Sequence, residues 1–172
     1  MFAKTQEALN KFAKYVVSQS KANLTRQKKN ASGNLRNSIG YDLKVSENSF
    51  SLEFIMAEYG MFIDEGVHGS KSSYLETRNS RFEFSGRFKT IPTKSIDKWV
   101  VRKGIKGTRD EKGRFIDRQS LKYVISKSIY EKGIRASMFF TKPFEKAFEN
   151  LPDEVIEAYA LDIDDLLEFT TN

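Results

Sequence analysis

Apolar residues first recur along this chain at the spacing of a helix. Leu9, Phe12, Ala13, Val16, Val17, Ser20 and Leu24 share one face, with Lys11, Lys14, Gln19 and Lys21 opposite. This predicts an amphipathic helix from about Lys4 to about Gln27. The cations of Arg26-Gln27-Lys28-Lys29 suit its C-terminus, and Ala31-Ser32-Gly33-Asn34 reads as a turn. The period then becomes two. Ile39, Tyr41, Leu43 and Val45 mark one face of a strand within Leu35 to Ser46, where Leu35 to Ile39 can alternatively hold a helical turn first. Glu47-Asn48-Ser49 forms a hairpin loop, and Phe50, Leu52, Phe54 and Met56 alternate with Ser51 and Glu53 on the return strand.

Ala57 to Glu65 reads as a short helical turn ending at Gly66, with Tyr59 and Phe62 or Met61 and Ile63 as alternative inward faces. The Ser-rich segment Val67 to Asn79 is predicted to be a mobile loop, and Arg81 to Lys89 a strand or an extended arm. Thr93 and Ser95 offer caps for a helix bearing Ile96, Trp99 and Val100. Asp117 or Ser120 opens another, with Leu121, Val124, Ile125 and Ile129 inside. The two close alike, on Lys103-Gly104-Ile105 and Lys132-Gly133-Ile134, a cation, a glycine and an apolar residue in the pattern of a C-cap. The linker Lys106 to Arg114 is read as exposed. Pro143 falls near the first turn of a helix over Glu145 to Asn150. Pro152 interrupts it, and Asp153 caps a last helix bearing Val155, Ile156, Tyr159, Leu166 and Leu167. The fold class is α+β: an N-terminal amphipathic helix packed on a small antiparallel β-sheet formed by the hairpin, with additional helices in the middle and at the C-terminus. One domain over 1–172 is expected, with an extended middle section at about 67–135 and an acidic helical tail at about 152–172.

Composition narrows the chemistry. The chain has no cysteine and one histidine, His68. Disulfides, thiolate nucleophiles and Cys-based zinc sites are therefore excluded, and an intracellular or intracellularly assembled product is expected. No apolar stretch approaches the ~20 residues of a membrane span, and nothing resembles a signal peptide, so a soluble protein without a membrane partner is predicted. Met1 to Lys142 carries 28 Lys and Arg against 14 acids, whereas Pro143 to Asn172 has one Lys against nine. A basic body with an acidic end points to a nearby polyanion or to head-to-tail contact between copies, the latter placing Asp162, Asp164 and Asp165 against a neighbour.

Asp64-Glu65 is the one adjacent acidic pair beside a possible active-site turn. No spacing marks further acids to complete a nuclease-type site, so the pair is read as a helix end whose acids meet a neighbour's Lys or Arg. His68 is read as a loop surface residue. Gly104-Ile105-Lys106-Gly107-Thr108 lacks the Gly-Lys-(Ser/Thr) core of a phosphate loop. No enzyme activity, metal or cofactor is expected.

Three separated segments line up in order: Ser32-Gly33-Asn34-Leu35-Arg36-Asn37-Ser38-Ile39, then Tyr59-Gly60-Met61-Phe62-Ile63-Asp64-Glu65-Gly66, then Phe139-Phe140-Thr141-Lys142-Pro143-Phe144-Glu145-Lys146-Ala147. Together they resemble the tail-completion and neck (head–tail connector) proteins of tailed bacteriophages over about residues 5–150. Val67-His68 after Gly66 and the acidic tail after Leu151 depart from that pattern. The resemblance implies a virion protein, assembled in the host cytoplasm, forming a six- or twelve-fold homo-oligomeric ring between the portal or adaptor and the tail. Double-stranded DNA would pass non-specifically through its lumen. It implies that Phe82, Phe84, Arg87 and Phe88 form an arm packing on the next subunit. Arg26, Lys28, Lys29, Arg109, Lys112 and Arg114 are the candidate lumen cations. The alternative is a basic nucleic-acid-binding module using Phe82 to Lys89 as a stacking platform.

Overall fold

The structure is a computed structural model describing residues 2–46, 49–85, 91–105, 107, 109 and 111–171, apart from the side chains of residues 95 and 168–171. The fold is α+β, and it divides into two compact units, residues 1–57 with 139–172 and residues 58–138. The second contains the middle section marked out by the sequence.

In the first unit, α1 (Ala3–Arg26) buries Phe12, Ala13, Val16, Ser20 and Leu24, the face its periodicity predicts. Leu35 to Ile39 takes the helical alternative: α2 (Asn34–Ser38) buries Leu35 and leads through buried Ile39 into β1 (Gly40–Ser46). β1 pairs antiparallel with β2 (Ser49–Ile55), placing Tyr41 opposite Phe54 and Leu43 opposite Leu52. Tyr41 ties this hairpin to α1 by donating its hydroxyl to Asn10 Oδ1 at 3.0 Å. Val45, expected inward, is 44% exposed near the hairpin end.

α6 (Thr141–Phe148) closes this core. Phe144 meets the rings of Phe12 and Phe54 edge-on at 5.7 and 5.9 Å, and Phe139 is fully buried. α7 (Leu151–Thr171) packs along α1. The break expected at Pro152 falls earlier, at residues 149–150; Pro152 lies in the first turn of α7, where a missing N–H costs nothing, and Asp153, expected as the cap, lies inside that turn. The inward residues of α7 also differ from expectation. Ala158 and Asp162 are buried, while Ile156 and Leu167 are 67% and 56% exposed. A small residue and a carboxylate serve here because α1 lies close and its first turn needs acceptors.

The second unit opens with α3 (Gly60–Asp64), whose buried positions are Gly60 and Asp64, belonging to neither inward face expected for this turn. β3 (Val67–His68) pairs antiparallel with β4 (Gly133–Ile134). The helices α4 (Thr93–Arg102) and α5 (Arg118–Lys132) pack on each other, Ile96 and Val100 being buried on the one and Leu121 on the other. Asp117 caps α5 by accepting from the N–H groups of Gln119 and Ser120. At α4 the expected caps fail: Pro92 holds that position and no side chain caps it. Val124, expected inside, is 56% exposed, and buried Ser126 takes an inward place by donating to the Ile91 carbonyl.

The segment after β3 is pinned, not loose. Ser70 N–H donates to the Tyr130 carbonyl, and those of Lys71 and Ser72 to the Glu131 carbonyl, which satisfies the last turn of α5.

Candidate functional site

The acids Asp64 and Glu65 sit at the end of α3 with different fates. Asp64 is 1% exposed, inside the second unit. Its carbonyl accepts from the N–H groups of Ser137 and Met138 at 3.0 and 2.9 Å. Asp64 is therefore a structural residue, not one that meets a neighbour. Glu65 pairs with Arg81 of the same chain at 3.0 Å. Gly66 follows with φ +78°, in the left-handed region that glycine alone adopts without cost.

Phe82 and Phe84 likewise pack on their own unit. The Phe82 ring meets Phe62 edge-on at 4.5 Å, and Phe84 lies 5.8 Å from Tyr130. Glu83 bridges in parallel to His68: the Phe82 carbonyl accepts from His68 N–H, and Phe84 N–H donates to the His68 carbonyl. The stretch thus adds an edge to the β3–β4 ladder, and neither a free arm nor an exposed stacking platform describes its two phenylalanines. Arg87 and Phe88 lie outside the described residues. An apolar groove of about 450 Å³ runs beside this edge, walled by Phe62, Val67, Phe82, Phe84 and Ile134.

His68 is a strand residue and not a surface-loop one. Its Nε2 lies 3.2 Å from the Ser80 carbonyl and its Nδ1 3.4 Å from Thr77 Oγ1. Both partners are more than eight residues away, which is why local composition did not reveal the placement.

In the acidic tail, Asp162 is turned inward. It accepts from Lys4 N–H at 3.0 Å and from the N–H and hydroxyl of Thr5 at 2.8 Å each. It thereby caps α1, whose own preceding residue, Phe2, supplies no side-chain cap. Burial works to raise its pKa, but these hydrogen bonds together prevail and hold it below the usual aspartate value. Asp165 pairs with Lys4 at 2.8 Å, and chiefly through that hydrogen bond the Lys4 ammonium is raised above its ordinary value. Of the three tail acids, Asp164 is exposed and Asp162 is not available to a neighbour.

The candidate lumen cations fall into two separate groups. Arg26 is exposed at the end of α1 and donates to Asn23 Oδ1 at 2.7 Å; Lys28, in the left-handed region, is exposed and Lys29 half-buried. In the second unit Arg109 stacks over Phe115 at 4.3 Å and donates to the Gly113 carbonyl at 2.9 Å, while Lys112 and Arg114 are exposed.

Folding redistributes the charge seen along the sequence. α7 sets its acids against the lysines of α1, so the first unit holds 11 cations and 13 acids. The second holds 18 cations and 10 acids, a net +8. Within it, Asp97 is engaged by Arg118 and Lys122 at 3.0 and 3.3 Å, and Glu131 by Lys71 at 2.7 Å. The Lys122 hydrogen bond is the main cause that holds the Asp97 carboxyl below its usual range. One cationic row escaped the sequence reading. Lys94, Lys98 and Arg102 lie along the outer side of α4, exposed and without an ion-pair partner among the described residues. Its signal was the four-residue spacing opposite Ile96 and Val100.

Among the described residues no group of three or more His, Asp or Glu is placed to hold a metal ion, and no helix is long and apolar enough to cross a membrane. Comparison with protein-family models, with curated proteins and with solved structures finds no match.

Proposed function

We propose that this chain is a non-catalytic structural subunit of a ring in the neck of a tailed bacteriophage, joining the portal side to the tail around passing double-stranded DNA. One observation carries the reading: the three segments that resemble neck proteins all fall at junctions of a helix-on-hairpin frame. Ser32 to Ile39 turns the chain from α1 into β1, with Ser38 Oγ accepting from Ala57 N–H at 2.9 Å to hold the far end of the hairpin. Tyr59 to Gly66 opens the second unit. Phe139 to Ala147 returns the chain to the first unit and fills its aromatic core. These residues are therefore scaffold, as a family defined by assembly and not by chemistry requires.

Charge segregation supports the same reading, because contacts between unlike faces close rings. The mass of the purified protein, alone and mixed with portal and tail proteins, tests it. A discrete multimer, alone or with such a partner, is expected. A strict monomer that ignores those partners and holds single-stranded DNA at physiological salt would overturn it in favour of the basic nucleic-acid module. That second reading draws on the +8 of the second unit but loses support from Phe82 and Phe84, which are packed on Phe62 and Tyr130.

A further inference from the structure

Two helix faces of this chain are left without partners among the described residues, and they are complementary. On α4 the outward row is Lys94, Lys98 and Arg102, with Val101 beside it 59% exposed. On α7 the outward row is Asp153, Glu157 and Asp164, with Glu157 at the rim of the groove toward α1 and Ile156 beside the row at 67% exposure. At 3.6 residues per turn each set falls within one side of its helix, opposite the buried positions Ile96 and Val100 or Ala158 and Asp162. None of the six charged side chains has an ion pair within 4 Å among the described residues.

We propose that the outer face of α4 in one copy docks on the outer face of α7 in a second copy, pairing the cationic row with the acidic one and covering the apolar residues beside each. The inference rests on the ring reading and names the contact that propagates it. A second copy is favoured over duplex DNA as occupant because phosphates offer nothing to Val101, whereas α7 supplies both the acids and an apolar flank. The contact is heterologous: each copy offers α4 to one neighbour and α7 to the other, which is the condition for ring closure. Two helix faces make a small interface, and charges at its rim are screened within about 8 Å at physiological salt, so assembly through it weakens steeply as salt rises.

The chain's lack of cysteine allows a direct test. Lys98→Cys and Glu157→Cys variants, mixed and oxidised, are expected to give a crosslinked dimer, whereas Lys98→Cys mixed with Lys14→Cys gives none. The triple variant Lys94→Glu, Lys98→Glu, Arg102→Glu is expected to need at least about tenfold higher concentration to assemble. Reversing Asp153, Glu157 and Asp164 to Lys in the second partner should restore assembly of the mixture. All these positions are exposed, and circular dichroism of each variant checks its fold. A wild-type multimer with no Lys98→Cys to Glu157→Cys crosslink overturns this contact and leaves the ring reading standing. Absence of any multimer, alone or with portal and tail proteins, overturns the ring reading itself. Charge reversal that abolishes binding to a duplex probe and leaves assembly unchanged assigns the row to DNA and overturns the proposal.

Discussion

The carboxylate of Asp162 accepts hydrogen bonds from both the N–H and the hydroxyl of Thr5, two residues 157 positions apart. The last helix thus supplies the cap that the first helix lacks, since Phe2 offers no side-chain acceptor there. Asp162→Ala removes it and leaves the donors of Lys4 and Thr5 unmet. A loss of about 1–2 kcal/mol is expected, at the upper part of the range for helix caps because the site is buried. Urea denaturation of the two proteins measures it.

The same carboxylate fixes a pH dependence. Its pKa is below the ordinary value in the folded chain, so the unfolded state binds the proton first. Its contribution is complete above the unfolded value of ~3.9 and is lost as pH falls through the lower, folded value. The stability gap between wild type and Asp162→Asn should be constant above about pH 5 and narrow below about pH 4. Thermal melts across pH 3–7 read this directly, and a gap that widens on acidification would contradict the assignment.

Gly66 is constrained twice. Its φ of +78° disfavours any side chain, and a Cβ would stand 2.6 Å from the Ala136 nitrogen and the Ile134 carbonyl oxygen. Gly66→Ala is expected to cost about 1–3 kcal/mol from backbone strain, with the steric conflict added to that. The damage should concentrate in residues 58–138, seen as faster amide exchange in β3 and β4.

Asp97 holds α4 to α5 through Arg118 and Lys122. Asp97→Asn should loosen α4 without unfolding the chain, because Ile96 and Val100 remain buried. Amide exchange across residues 96–102 is expected to accelerate while that of α1 stays unchanged. If α4 carries the contact proposed above, the multimer should also weaken.

Periodicity made α1 and the hairpin legible because each turns one face inward, as buried Phe12 and Val16 and the half-buried pair Leu43 and Leu52 show. It misled at α7, where hydropathy favours Ile156 and Leu167 and the packing favours Ala158 and Asp162. An inward carboxylate is intelligible only once the bare first turn of α1 is beside it. β3 and β4, two residues each, are too short for any period to register. Phe82 and Phe84 alternate as a strand should, yet alternation does not say whether the covering surface belongs to the same chain; Phe62 and Tyr130 do. The row on α4 is not legible for the converse reason, since cations at helical spacing ordinarily mark no more than a solvated face.

The first unit is assembled from two separated stretches, residues 1–57 and 139–172, and the second unit from the residues between them in sequence. This sets an order of events at the ribosome. When residue 57 has emerged, α1 has its apolar face formed and nothing to cover much of it. Its partners α6 and α7 follow only after about a hundred further residues, a delay on the order of ten seconds at translation rates of ~5–20 residues per second. During that interval the contiguous residues 58–138 can condense while the first unit waits. Premature termination before α6 would therefore release a chain with an open, sticky helix, the kind of species that chaperones hold and proteases remove.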